Sequence, residues 1–321
     1  MQSRIRLSQG VRELLRCPVC HARLKQTEQQ FECADSSCAT RFPVVDGIPV
    51  LINEQSSLFS IDDFVSHHRT FFANVGETPR KRIVPRLKPT IGKNIKGKSN
   101  FDRMADVLFT QSRSPRVLVI GGSILGQGME SLAGNGGVEL VETDVAFGAR
   151  TMLICDAHDI PFEDETFDGV VAQAVLEHVV DPYRCCEEIH RVLKDRGVVY
   201  AETPFMQQVH SRYDFTRFTR LGHRRLFRRF EEIDSGAVGG PGMALAWSYK
   251  YFLTSGTGSR TLKRLIQLFA SLTSFYLKYF DYYLIDKPSA LDAASGYYFM
   301  GRKAERVLSD RELMKLYKGS R

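Results

Sequence analysis

Four of the chain's seven cysteines crowd into one short stretch, as Cys17, Cys20, Cys33 and Cys38. They read C-P-x-C, then twelve residues, then C-x4-C. Two short cysteine-bearing turns carried on β-ribbons can place four thiolates tetrahedrally, at about 2.3 Å from a zinc ion. Four thiolates fill that coordination sphere and leave no position for water, so such a zinc is structural rather than catalytic. The plain alternative is four reduced, unliganded thiols. A redox C-x-x-C is disfavoured because no strand–helix pattern surrounds it. Cys155, Cys185 and Cys186 are scattered through apolar or helical contexts.

A second set of residues follows short apolar runs. The run 116–120 ends in Gly121-Gly122-Ser123 and continues through Gly126 and Gly128, a turn that lets backbone approach a ligand closely. Asp144 follows the next run, where it can accept hydrogen bonds from ribose hydroxyls. Asp156-Ala157 follows the third, suited to an adenine amino group and ring nitrogen, and Gln173 follows the fourth, near the mouth of such a site. Two successive strand-end acids point to an adenosine ligand. A dinucleotide competes, since the turn approximates G-x-G-x-x-G with Ser123 at its middle position, but Asp156 has no part in that fingerprint. Beyond the fifth run, His210 is the best-placed candidate base, with Tyr213 and Asp214 as orienters or acceptor ligands. The same Tyr213, Asp214 and Arg217 would equally serve to fix the loop.

The elements that must position these groups are legible. Runs 116–120, 138–143, 151–154, 167–172 and 198–201 are expected strands, with a helix from Pro182 through Lys194 between the last two. Such alternation predicts a doubly wound parallel sheet, in which ligands sit at the carboxyl ends of the strands. A sixth strand is expected at 230–237 and a final antiparallel one at 296–301, separated by a helical insertion at about 243–290.

The ordered motifs carry a resemblance. Asp156-Ala157-His158-Asp159-Ile160-Pro161-Phe162, then Phe167-Asp168-Gly169-Val170-Val171, then Leu176-Glu177-His178-Val179 and Glu188-Ile189-His190-Arg191-Val192-Leu193-Lys194 closely resemble class I S-adenosylmethionine-dependent methyltransferases, in the group that includes quinone-biosynthesis enzymes. The similarity spans roughly Arg116 to Pro204. It implies a Rossmann-like, mostly parallel seven-stranded sheet, with Gly121, Gly122 and Ser123 along the methionine part of the cofactor, Asp144 on the ribose, and Asp156 and Ala157 on the adenine. The chain departs from the family where an acid is usual in the first strand: that position is Val119. The cysteine unit resembles zinc-ribbon modules found alone, as partners of tRNA methyltransferases, and fused before methyltransferase domains. Residues 205–219 resemble a bacterial subgroup seen with glycan or surface-polymer biosynthesis.

The expected organisation is therefore a zinc ribbon at 1–53, a connector at 54–113, a methyltransferase domain at 114–305 and a tail helix at 306–321. A hydrophobic content of 43% with 25% charged residues excludes wholesale disorder and a polytopic membrane protein. The opening residues carry Arg4, Arg6, Arg12 and Arg16 and no apolar run, so an export signal is not expected and a cytoplasmic location is. The net charge of +7 is local: the acid-free stretch from Arg80 to Lys98 holds eight cations, leaving the rest near neutral. That stretch could meet phosphates or anionic lipid, and it lacks the aromatic residues of a base-stacking surface. The uncharged core 265–277 of the insertion is too short to span a bilayer. It is expected to cap the acceptor pocket, form a homodimer surface or make peripheral membrane contact. The function expected is methyl transfer from S-adenosylmethionine to a small-molecule, lipid-linked or glycan acceptor. RNA methylation, with the ribbon and basic stretch gripping the substrate, is the runner-up, and a non-catalytic binding protein of the same fold is the third reading.

Overall fold

The computed structural model describes residues 5–27, 29–68, 70 and 89–319. Arg80 to Lys88 of the basic stretch, with Phe71 and Phe72, lie outside the described residues.

One mixed sheet organises the chain. Its strands are β1 (Leu24–Gln26), β2 (Gln30–Cys33), β3 (Arg41–Val45), β4 (Ile48–Leu51), β5 (Arg116–Ile120), β6 (Glu139–Asp144), β7 (Leu153–Cys155), β8 (Phe167–Gln173), β9 (Leu193–Pro204), β10 (Phe230–Gly239) and β11 (Gly296–Lys303), in the order β1-β2-β3-β4-β7-β6-β5-β8-β9-β11-β10. The strands β5 to β9 pair in parallel, and β11 runs antiparallel to both β9 and β10. The central strands are apolar on both faces, as strands covered by helices on both sides must be.

The sheet has eleven strands where seven were expected. The cysteine unit supplies the other four. It is an antiparallel ribbon in which Asp46 and Gly47, both at positive φ, turn β3 into β4. The fully buried β4 then pairs in parallel with β7, Val50 opposite Ile154 and Leu51 opposite Cys155. The unpaired edge that β7 would otherwise present is covered by the ribbon.

Five helices matter for the site: α1 (Gly97–Gln111), α2 (Pro182–Val192), α3 (Pro241–Ser255), α4 (Arg260–Ser274) and α5 (Leu277–Leu284). The first buries Phe101, Met104 and Leu108 on one sheet face against Val117, Val119 and Tyr200. The second covers the other face with Cys185, Cys186, Ile189 and Val192. It starts where its sequence directs: Pro182 sits in the first turn, and the Asp181 carboxylate accepts from the backbone N–H of Tyr183 and Arg184 at 3.1 Å. Helices α3 to α5 form the insertion, and the tail holds a short helix at Asp310–Met314.

Candidate active site

The carboxyl ends of the parallel strands open into a cavity of about 890 Å³. Gly121 leaves β5 at φ +73°, and a Cβ there would stand 2.5 Å from Val175. Gly126 is bound just as tightly, since a Cβ would fall 1.7 Å from Gln173 Oε1. The turn therefore packs against Val175 and Gln173 as closely as only glycines allow. It is latched to the next strand: Gly122 N–H donates to Thr143 O at 2.8 Å, and Ser123 N–H donates to Asp144 Oδ2 at 3.0 Å. Burial pushes the Asp144 carboxyl up from its ordinary value, against the Ser123 hydrogen bond.

Asp156 is already engaged. Its Oδ1 accepts from the His158 backbone N–H at 3.0 Å and from Nδ1 at 2.6 Å. His158 Nε2 accepts from the Asp181 N–H at 3.0 Å, which assigns the ring proton to Nδ1. The hydroxyl of Ser57 donates to Asp156 Oδ2 at 2.5 Å. Burial raises the Asp156 carboxyl, and the His158 and Ser57 hydrogen bonds outweigh it, so its pKa falls below the usual range. Ser57 comes from the segment just after β4, and its neighbours Leu58 and Phe59 line the cavity. The ribbon thus supplies part of the site wall.

Sequence reasoning did not single out Glu202. It ends β9 in the cavity wall, beside Gln173 of β8, and accepts from Asn94 Nδ2 at 2.8 and 2.9 Å, Gln173 Nε2 at 2.9 Å and the Tyr200 hydroxyl. Burial raises its pKa. With Asp144 and Asp156 it is one of three carboxylates lining the cavity among the described residues. The signal was faint: one acid inside an otherwise apolar strand run. Gln173 also faces Gln127 O at 3.0 Å, while its Oε1 is buried without a partner.

Of the candidate acceptor-side residues, Tyr213 lines the cavity, its ring 5.9 Å from that of Phe59. His210 and Asp214 stand behind the wall. Asp214 is held by the Arg217 guanidinium and accepts from the His210 N–H at 3.0 Å. Burial works against its charge, but the Arg217 hydrogen bonds win and hold its carboxyl low. Arg217 also donates to the carbonyls of Gln207 and Gln208, so this pair shapes the loop. His210 Nε2 lies 3.2 Å from His178 Nε2, and it is His178 that faces the cavity. Burial first, then His210, lowers His178 to about 4, keeping it neutral at pH 7.

The cysteines converge as their spacing requires. Their four Sγ atoms all lie within 4.8 Å of one another, with Cys17–Cys38 at 3.8 Å and Cys20–Cys33 at 3.4 Å. Ligands about 2.3 Å from a tetrahedral zinc stand roughly 3.8 Å apart. All seven cysteines are free of disulfides. Burial raises Cys17 and pushes Cys33 up to about 11, while the Thr40 hydroxyl lowers Cys38 to about 7.

Comparison with known proteins agrees with this layout. Residues 122–201 match the family model described as Methyltransferase domain. That stretch is similar to a methyltransferase domain. The demethylmenaquinone methyltransferase of Clavibacter sepedonicus is 37% identical over 90 residues, which are 27% of this chain and 32% of that protein. The chain thus spans about a third of that relative. A UPF0434 protein of Azotobacter vinelandii is 35% identical over 51 residues, 16% of this chain and 84% of the relative. Over that stretch, close to the length of the cysteine unit, the chain belongs to the UPF0434 family. Phosphoethanolamine N-methyltransferase 2 of Haemonchus contortus, solved with S-adenosylmethionine, is similar at a TM-score of 0.43 and 16% identity, covering 67% of this chain and 55% of that one.

The methyltransferase cavity fits its cofactor on its own terms. Its wall joins the glycine turn to a buried acid at each of two adjacent strand ends, Asp144 and Asp156, the groups a polar ligand would need there.

Proposed function

We propose that the protein binds S-adenosylmethionine at the carboxyl ends of β5 to β8 and transfers its methyl group to a small-molecule, lipid-linked or glycan acceptor. The convergence of the glycine turn, Asp144, Asp156 and Glu202 on one cavity carries this reading. When bound, the cofactor supplies a methyl group already activated on a sulfonium sulfur, so the protein's task is alignment. In this reading Gly121, Gly122 and Ser123 admit the methionine part and Asp144 accepts from the ribose hydroxyls. Asp156, steadied by Ser57 and His158, and Ala157 meet the adenine. Glu202 takes up the task left open by Val119 and meets the α-amino group, with Gln173 beside it. Tyr213 and neutral His178 stand on the acceptor side. Met243 and Trp247 of α3 add an apolar wall suited to a lipid or aromatic portion of the acceptor. The four thiolates would hold one structural zinc and so keep β4, Ser57 and Phe59 in place.

The test is transfer of tritiated methyl from S-adenosylmethionine into fractionated cell extract by the full chain. Label in a lipid or glycan fraction is expected. Label confined to RNA would move the acceptor class to nucleic acid, and label in no fraction would refute the activity.

A further inference from the structure

The cysteine unit grips the loop that follows β7, residues 156–163, from two sides. On one side run the residues that lead into the first cysteine. Leu15 bridges Phe162 in antiparallel fashion, Arg16 N–H donates to Pro161 O at 3.0 Å, and Glu163 N–H donates to Leu14 O at 3.0 Å. On the other side stand the residues that leave β4. Asn53 is buried, and its Nδ2 donates to Asp159 Oδ2 at 3.3 Å and to Pro18 O at 3.4 Å. One amide thus joins the turn between Cys17 and Cys20 to the loop. Ser56 Oγ donates to Asp159 Oδ2, and Ser57 Oγ to Asp156 Oδ2, each at 2.5 Å.

The two buried acids divide their bonds in the same way. Oδ1 is served from residues of the methyltransferase stretch: His158 donates to Asp156, and the Arg184 guanidinium of α2 to Asp159. Oδ2 of each takes its hydrogen bonds, among the described residues, from Asn53, Ser56 and Ser57 alone. Those three residues lie outside the stretch 122–201 that matches the methyltransferase model. A buried carboxylate oxygen left without a donor is costly, so the geometry of both acids depends on where the cysteine unit ends. Asp159 N–H also donates to Asp156 O at 3.1 Å, which makes the pair one rigid turn. Packing adds to the link. Cys17, Phe31 and Phe42 of the unit share one core with Ala157, Ile160 and Phe162 of the loop. A unit of this size has little core of its own, and a bound metal would supply much of its folding free energy.

We propose that Asn53, Ser56 and Ser57 are positioning residues for the adenine side of the cavity, and that through them metal on the four thiolates and S-adenosylmethionine in the cavity strengthen each other's binding. The metal fixes the turn at Pro18 and the end of β4; these fix the three donors, and the donors fix Asp156 and Asp159. The inference deepens the proposed function and rests on it for the identity of the cofactor. Coupling of this kind is reciprocal: the factor that metal adds to cofactor affinity is the factor that cofactor adds to metal affinity. The expected factor is about tenfold, within the range usual for coupled sites.

The test uses the full chain in zinc-loaded and zinc-stripped form. Isothermal titration gives the Kd of S-adenosylmethionine for each, and competition with a chromogenic chelator gives zinc affinity with and without saturating S-adenosylmethionine. Stripping should raise the cofactor Kd about tenfold, and the cofactor should tighten zinc by the same factor. Ser56→Ala with Ser57→Ala removes the two hydroxyls and keeps all four cysteines. Zinc should still load, while both factors fall to about twofold or less. Ser57→Thr keeps a hydroxyl and should keep the wild-type factor. A merely structural role for the serines would lower the melting temperature and leave the factor unmoved. Three results would overturn the coupling: no zinc uptake by the wild type, cofactor affinity that zinc does not change, or a wild-type factor in the double serine variant. Each of these leaves the proposed function standing if S-adenosylmethionine still binds. No binding to the zinc-loaded chain would instead overturn the cofactor reading, and the coupling with it.

Discussion

Exchanging Asp144 for asparagine separates cofactor recognition from stability. The carboxylate is buried and accepts the Ser123 N–H at 3.0 Å. Its folded pKa is raised by burial, so its favourable contribution to stability is complete only below the unfolded value near 3.8 and is lost as pH rises through the folded value. At pH 7 the ionised group is a cost to the folded chain. The amide of Asp144→Asn would keep an oxygen for Ser123 and remove the buried charge, so the melting temperature at pH 7 should hold or rise, and it should converge with wild type in acid. Affinity should move the other way. A hydrogen bond to a charged group contributes about 1.5–3 kcal/mol. An amide offers one acceptor where ribose hydroxyls met a carboxylate, which predicts about 2 kcal/mol of lost binding, on the order of 30-fold in Kd. Isothermal titration with S-adenosylmethionine beside a thermal melt gives both numbers. Unchanged affinity with a lowered melting temperature would refute the assignment, because Asp144 would then be structural alone.

Three further outcomes follow from the geometry. Cys33→Ser should leave less than one zinc per chain by metal analysis, and a chelator should reproduce the loss; an unchanged zinc content would contradict the four-thiolate site. Loss of the ribbon should also weaken cofactor binding, because Ser57 and Phe59 follow β4. Glu177 is fully buried, and burial lifts it to about 8. Folding therefore favours its protonated form, and stability should fall as pH rises from about 4.5 to 8, by at most about 1.4 kcal/mol per pH unit; denaturant melts of Glu177→Gln should lose that slope. Gly121→Ala should destabilise the chain by about 1–3 kcal/mol, from the positive φ and the 2.5 Å approach to Val175, and should reduce cofactor affinity; an unaffected titration would show that the turn has no part in binding.

The parallel strands and the residues after them were legible because both are local signals. An apolar run ending in glycine or aspartate marks a strand and its ligand-facing tip, and 116–120 and 167–172 became β5 and β8 nearly residue for residue. The antiparallel return at 296–301 was equally plain, bounded by glycine. What stayed hidden depends on contacts distant in the chain. Pairing of Leu51 with Cys155 joins two unremarkable apolar runs, so the ribbon read as a separate unit rather than as an extension of the sheet. Glu202 acquires meaning only when Asn94 and Gln173 are brought against it. His210 read as the best-placed candidate base, and folding sets it against His178, which lines the cavity, a placement that no spacing along the sequence reveals. Helix α4 shows a similar limit: its apolar content was visible, but that Ala270, Ser271 and Ser274 would be its buried residues was not.

The central claim is that the cavity at the ends of β5 to β8 is an S-adenosylmethionine site. Isothermal titration of S-adenosylmethionine into the purified full chain tests it directly. Saturable binding at one site per chain, weakened by Asp144→Asn, is the predicted result. No heat of binding in the wild type, or binding that Asp144→Asn leaves untouched, would contradict it.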